Sequence, residues 1–185
     1  MSKNKAALLV PGAWGGQATP WMSYPTAAAK ARGAATHPVT WDPPESLYSQ
    51  PDTLLGWVRE HVEPVLDGVD ADASTVIIGK SLGSNAAAIA AERDLPGIWL
   101  TPLLTVDRLE RALRRTTAPF LLIGGTADAS WNGDLARELT PHVCEITGAD
   151  HGFFRHGEPL ARSAAVLADM GTAIEVFLDE VVWPS

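Results

Sequence analysis

The residues best placed to do chemistry lie in "VIIGKSLGSNAA", Val76 to Ala87, where three aliphatic β-formers run into Gly79-Lys80-Ser81-Leu82-Gly83. Gly-Lys-Ser after a strand can close a phosphate-binding loop. That loop requires G-x-x-x-x-G-K-[ST], so that backbone N–H groups can wrap the phosphates. Five residues before Gly79 stands Ser74, and Val-Ile-Ile fills the space the loop would need. A dinucleotide fingerprint fails too, because G-x-G-x-x-G puts glycines where Ser81 and Ser84 stand. Gly-x-Ser-x-Gly between a strand and a helix fits instead a strained turn that lifts a serine hydroxyl above a sheet. In that reading Gly83 avoids a collision with the neighbouring strand, and the small Ser84, Asn85 and Ala86 let the helix pack close. Taken alone, Ser81 could equally be a helix cap.

A hydroxyl becomes a nucleophile only when a base takes its proton. "FLLIGGTADASW" puts Asp128 in a loop after a buried run, and "EITGADHGF" puts His151 in the loop after the next. Ser81, Asp128 and His151 thus supply a nucleophile, an orienting acid and a base. Asp150 competes for the acid role but adjoins the histidine, whose ring it cannot easily reach; Asp134 falls within a predicted helix. His156 is an alternative base. His142 belongs to the wrong sheet end, His61 to a helix, and His37 to a strand candidate. No H-E-x-x-H or Cys/His cluster accompanies "HGFFRH", so no metal is expected. Trp131 and Phe153 are candidate pocket residues, as is Trp14, each against the commoner reading of an aromatic as core. Trp21 is a weaker candidate. Lys80 reads as a solvated or ion-paired side chain, and "RLERALRR" as one wet helix face.

Positioning such residues falls to the surrounding elements. Strand-like runs at "AALLV", "ATHPVTWD", "STVIIG", "GIWLTPLL", "PFLLIGG" and "VCEIT" alternate with helical patterns. The helices are expected at "TPWMSYPTAAAKARG" (broken by Pro25), Asp52 to Val69 (bent or ended by Pro64), "SNAAAIAAERD", "VDRLERALRRTT", "WNGDLARELT" and Pro159 to Val182. "PPESLYSQP" reads as a loop. Such alternation predicts a mostly parallel sheet with helices on both faces, a three-layer α/β/α sandwich. A ligand site belongs at the carboxyl ends of its strands. No repeat or linker interrupts the chain, and a single domain over 1–185 is expected.

Composition narrows the function classes. The 185 residues carry a net charge of −8 without a basic run, which argues against a nucleic-acid partner. One cysteine, Cys144, excludes an intrachain disulfide. The apolar run after the basic N-terminus is about five residues, shorter than the roughly 7–15 of a signal sequence, and no run reaches the ~18 of a membrane span. A cytoplasmic location is the default.

With "GKSLGS", "GGTAD", "GADHGF" and the N-terminal "VPGAWGG", the sequence resembles the α/β-hydrolase superfamily. The order Ser81, Asp128, His151 matches that family. The resemblance implies an α/β-hydrolase fold, a Ser-His-Asp triad, and an oxyanion hole from the backbone N–H of Leu82 with that of Ala13 or Trp14. It implies a carboxylic ester or thioester as small-molecule substrate and no cofactor. Lys80 stands where the family often has His or an aromatic, and "PGAWGG" stands for "HGGG". Between the "GIWL" and "FLLIGG" strands, where many members insert a cap, there is little more than one helix, so the resemblance is to small capless members. A binding module with a vestigial triad, or a non-hydrolytic cyclase or epimerase, remains the alternative.

Overall fold

Six strands form one parallel sheet in the order β2-β1-β3-β4-β5-β6: β1 (Lys5–Val10), β2 (Ala35–Pro38), β3 (Ser74–Lys80), β4 (Gly97–Leu100), β5 (Phe120–Gly125) and β6 (Val143–Ile146). The structure, a computed structural model, describes residues 3–14, 16–49 and 51–184; Gly15 of "PGAWGG" and Gln50 of "PPESLYSQP" lie outside the described residues. The helices are α1 (Pro20–Ala31), α2 (Pro51–Asp67), α3 (Ala87–Arg93), α4 (Asp107–Arg114), α5 (Gly133–Leu139) and α6 (Leu160–Phe177).

Period-two alternation sends the side chains of the strands inside the edge strand β2 into two cores. Leu8, Val10, Ile77, Trp99 and Leu122 pack with α2, α3, α4 and α5. Ala7, Leu9, Val76, Ile78, Ile98, Leu100 and Ile123 pack with α1 and α6. Each fully buried aliphatic of this kind contributes about 1.5–3 kcal/mol of transfer free energy. The result is the expected three-layer sandwich. No helix among the described residues is long and apolar enough to cross a membrane.

Several boundaries differ from expectation. Helix α1 continues through Pro25, whose ring is buried, and α2 continues through Pro64. A proline costs a helix one N–H bond and some crowding, and tertiary packing offsets that here. β4 stops at Leu100, where Thr101 turns to φ +41°. A 3₁₀ turn, Glu45–Ser49, occupies part of the predicted loop. The last helix ends at Phe177 and closes in a π-helical turn, Leu178–Val182. β2 ends on Pro38 and lies at the sheet edge, where a missing N–H is tolerated.

Candidate active site

At the end of β3 the backbone reverses abruptly. Ser81 has φ +50°, a left-handed conformation costly for a residue with a side chain. Two glycines make the bend possible. A Cβ on Gly83 would stand 2.3 Å from the Val10 carbonyl oxygen, and one on Gly79 would stand 2.6 Å from that of Gly83. The chain then winds as a 3₁₀ turn over Ser81–Ala86 before α3. Ser84 Oγ donates to the Ser81 carbonyl (2.6 Å) and Asn85 Nδ2 to that of Leu82 (2.8 Å), locking the turn.

The loops after β5 and β6 bring two side chains to this serine. His151 Nε2 lies 2.7 Å from Ser81 Oγ, and its Nδ1 lies 2.8 Å from Asp128 Oδ2. The Ser130 amide donates to the other carboxylate oxygen (2.8 Å). The Asp128 side chain is 2% exposed and the His151 ring 40%. Burial alone would push the Asp128 carboxyl up. The hydrogen bonds from His151 and Ser130, with the charges of His151 and Lys80, outweigh it and hold the group below the usual carboxylate range. An ionised carboxylate at Nδ1 fixes the ring proton there, leaving Nε2 to accept from the serine hydroxyl.

Lys80 is neither solvated nor ion-paired, contrary to expectation. It is 4% exposed, and Nζ donates to Thr101 Oγ1 (2.5 Å) and to the His151 carbonyl oxygen (2.8 Å). The Trp21 and Phe153 rings each lie 5.7 Å from the ammonium. Burial lowers its pKa to about 8 against the opposing pull of Asp128 and Asp150. Among the described residues, three of the four non-glycine positions with positive φ, Ser81, Thr101 and Phe153, adjoin or touch this lysine.

A cavity of about 470 Å³ opens over Ser81 and His151, lined also by Ala13, Trp14, Leu54, Leu82, Leu103, Val106 and Arg108. Trp14 is 77% exposed at its mouth. The loop carrying Ala13 and Trp14 is anchored by Trp41 Nε1, which donates to the Gly12 carbonyl (3.0 Å). The other two aromatic candidates stand elsewhere. Phe153 is buried in the core beside α6, and Trp131 packs over Gly124 with Nε1 donating to Glu145 (2.7 Å). Asp150 accepts from the Gly152 and Phe154 amides and pairs with His156, while Asp134 pairs with Arg137. His61 stacks on Trp57 and His142 lies against Phe177. Arg108 was missed by the wet-face reading of its helix. Its i, i+4 spacing from the buried Ala112 was the available signal, since that places it beside the apolar stripe.

No protein-family model matches the sequence, and no curated protein matches it. Solved structures do. Est1E from Butyrivibrio proteoclasticus superposes with a TM-score of 0.70 at 16% identity, covering 96% of this chain and 88% of that one. An esterase from Pyrococcus furiosus gives 0.66 at 13% identity, covering 98% and 84%. A serine hydrolase without a lid from Xanthomonas campestris gives 0.59 at 14% identity, covering 95% and 82%. The chain has the α/β-hydrolase fold. In this capless α/β-hydrolase fold the Ser81–His151–Asp128 hydrogen bonds sit at the carboxyl ends of β3, β6 and β5, where open parallel sheets hold ligands.

Proposed function

We propose that this protein is a serine hydrolase that cleaves a carboxylic ester or thioester through an acyl-enzyme on Ser81. His151 Nε2 takes the hydroxyl proton as Ser81 Oγ attacks the substrate carbonyl, and Asp128 stabilises the imidazolium that forms. The amide of Leu82 and that of Ala13 or Trp14 donate to the oxyanion, a contribution worth about 3 kcal/mol per donor. The imidazolium then protonates the departing alcohol or thiol. Water, deprotonated by His151, attacks the acyl carbonyl and releases the acid and the free serine.

The observation carrying this reading is the continuous chain from Asp128 Oδ2 through both ring nitrogens to a serine oxygen on a strained bend, at 2.8 and 2.7 Å. Helix capping requires none of it. The esterases among proteins of like fold support the same class of reaction. The test is labelling with a fluorophosphonate probe: one equivalent is incorporated into the native protein and none into Ser81→Ala. A folded native protein that takes up no label refutes the assignment.

A further inference from the structure

Among the described residues that line the cavity over Ser81, Arg108 is the one arginine or lysine, and no carboxylate accompanies it there. Its Nε donates to Asn85 Oδ1 (3.1 Å), and Asn85 is itself buried and fixed through Nδ2 to the Leu82 carbonyl (2.8 Å). The guanidinium is therefore held from one edge by a neutral partner. Both Nη groups remain, and among the described residues no carboxylate pairs with them. Arg32, Arg59, Arg93, Arg114, Arg137 and Arg155 each have an acidic partner. Arg111, Arg115 and Arg162, the others without one, are exposed. Arg108 alone is both half-buried and without a counterion, and burial is the one influence on its pKa, which it lowers.

A partly desolvated cation without an anion is unfavourable unless something binds there. The rest of the wall is apolar: Ala13, Trp14, Leu54, Leu82, Leu103 and Val106. The chain as a whole carries −8, which repels anions generally, so one cation in the cavity decides where an anion can dock. A planar guanidinium fork with two Nη groups available matches a carboxylate.

Resting on the acyl-transfer reading above, we infer that the substrate is an ester or thioester bearing a carboxylate, held by Arg108 while its carbonyl lies against Ser81. The apolar wall takes the aliphatic or aromatic stretch between the two groups. No bond to Arg108 forms or breaks; it selects the substrate and orients it.

The experiment compares monoethyl adipate with ethyl adipamate, its neutral isostere, and repeats the comparison for the succinate and glutarate homologues. The native protein should prefer the carboxylate by about 10–100-fold in kcat/KM at its best chain length, the range of a charge-assisted pair. Arg108→Met should collapse that ratio towards one, and Arg108→Lys should restore part of it. Equal rates on acid and amide in the native protein, or an unchanged ratio in Arg108→Met, overturn the inference. A parallel calorimetric titration of Ser81→Ala with monoethyl adipate separates the two claims. Binding that Arg108→Met abolishes in this background supports the carboxylate site even if no ester is hydrolysed; no hydrolysis of any ester by the native protein tells against the acyl-transfer reading. No binding of any homologue overturns the site.

Discussion

The loop after β6 supplies the histidines of two histidine–carboxylate pairs of nearly the same length, one reaching across to the loop after β5 and one closing on its own loop, and they could not be less alike. His151 reaches Asp128 at 2.8 Å and His156 reaches Asp150 at 2.7 Å. The first carboxylate is 2% exposed, accepts a second hydrogen bond, and meets an imidazole whose far nitrogen holds Ser81. The second pair has a histidine 80% exposed whose other ring nitrogen meets no hydroxyl among the described residues, and its aspartate spends Oδ1 on the Gly152 and Phe154 amides. Separation alone therefore says little about role. Desolvation of the acid and a third partner on the ring set the pair proposed to move a proton apart from a loop fastening.

The largest expected effect falls on the first pair. Ser81→Ala should lower kcat by about 10⁶-fold, the order seen when the nucleophile of a working triad is removed. Ester hydrolysis by that variant at near-native rate would place the chemistry elsewhere. Next, Asp128→Asn should cost about 10⁴-fold in kcat with little change in the melting midpoint, because the amide keeps the shape but favours the wrong tautomer. A loss as small as threefold would make Asp128 no more consequential than Asp150.

Between the pairs stands Lys80, and its effect is read in stability against pH. Its folded pKa of about 8 lies below the ordinary 10.5, so below about 8 both states carry the proton and no slope arises. Between about 8 and 10.5 the unfolded state binds more protons, and stability rises with pH by roughly 3 kcal/mol across the window. Cys144, pushed up to about 11 by burial, acts oppositely, so the informative quantity is the difference between native and Lys80→Met in urea midpoints from pH 7 to 10.5. Parallel profiles would mean that Lys80 titrates as in water. The smallest effects belong to the second pair. Asp150→Ala should lower stability by about 1–2 kcal/mol, having removed the acceptor of two loop amides, and His156→Ala should shift it by less than about 0.5 kcal/mol with kcat within twofold. A collapse of kcat in His156→Ala would erase the contrast between the pairs.

That Ser81, Asp128 and His151 come together was legible in the sequence, because each sits in a short local motif after a buried strand and chain order supplied the partners. The alternation of strands and helices was equally plain, since period two and period 3.6 are local signals. Ala13, Trp14 and Leu82 of the cavity wall were legible too, but Leu54, Leu103, Val106 and Arg108 were not, because they come from α2, the loop before α4 and the first turn of α4, segments brought together only by packing. Lys80 was opaque for the same reason: its partners lie 21 and 71 residues away. Arg108 was hidden among neighbouring charges whose sequence pattern resembles any solvated helix.

The lysine before the serine has a mechanical consequence. Ser81 Oγ holds one end of the imidazole while Lys80 Nζ holds the carbonyl of the same histidine, closing a ring through the 80–81 peptide. Displacing the β6 loop from the sheet would then have to break two hydrogen bonds to neighbouring residues at once, which ties the spacing of hydroxyl and imidazole to the backbone of β3.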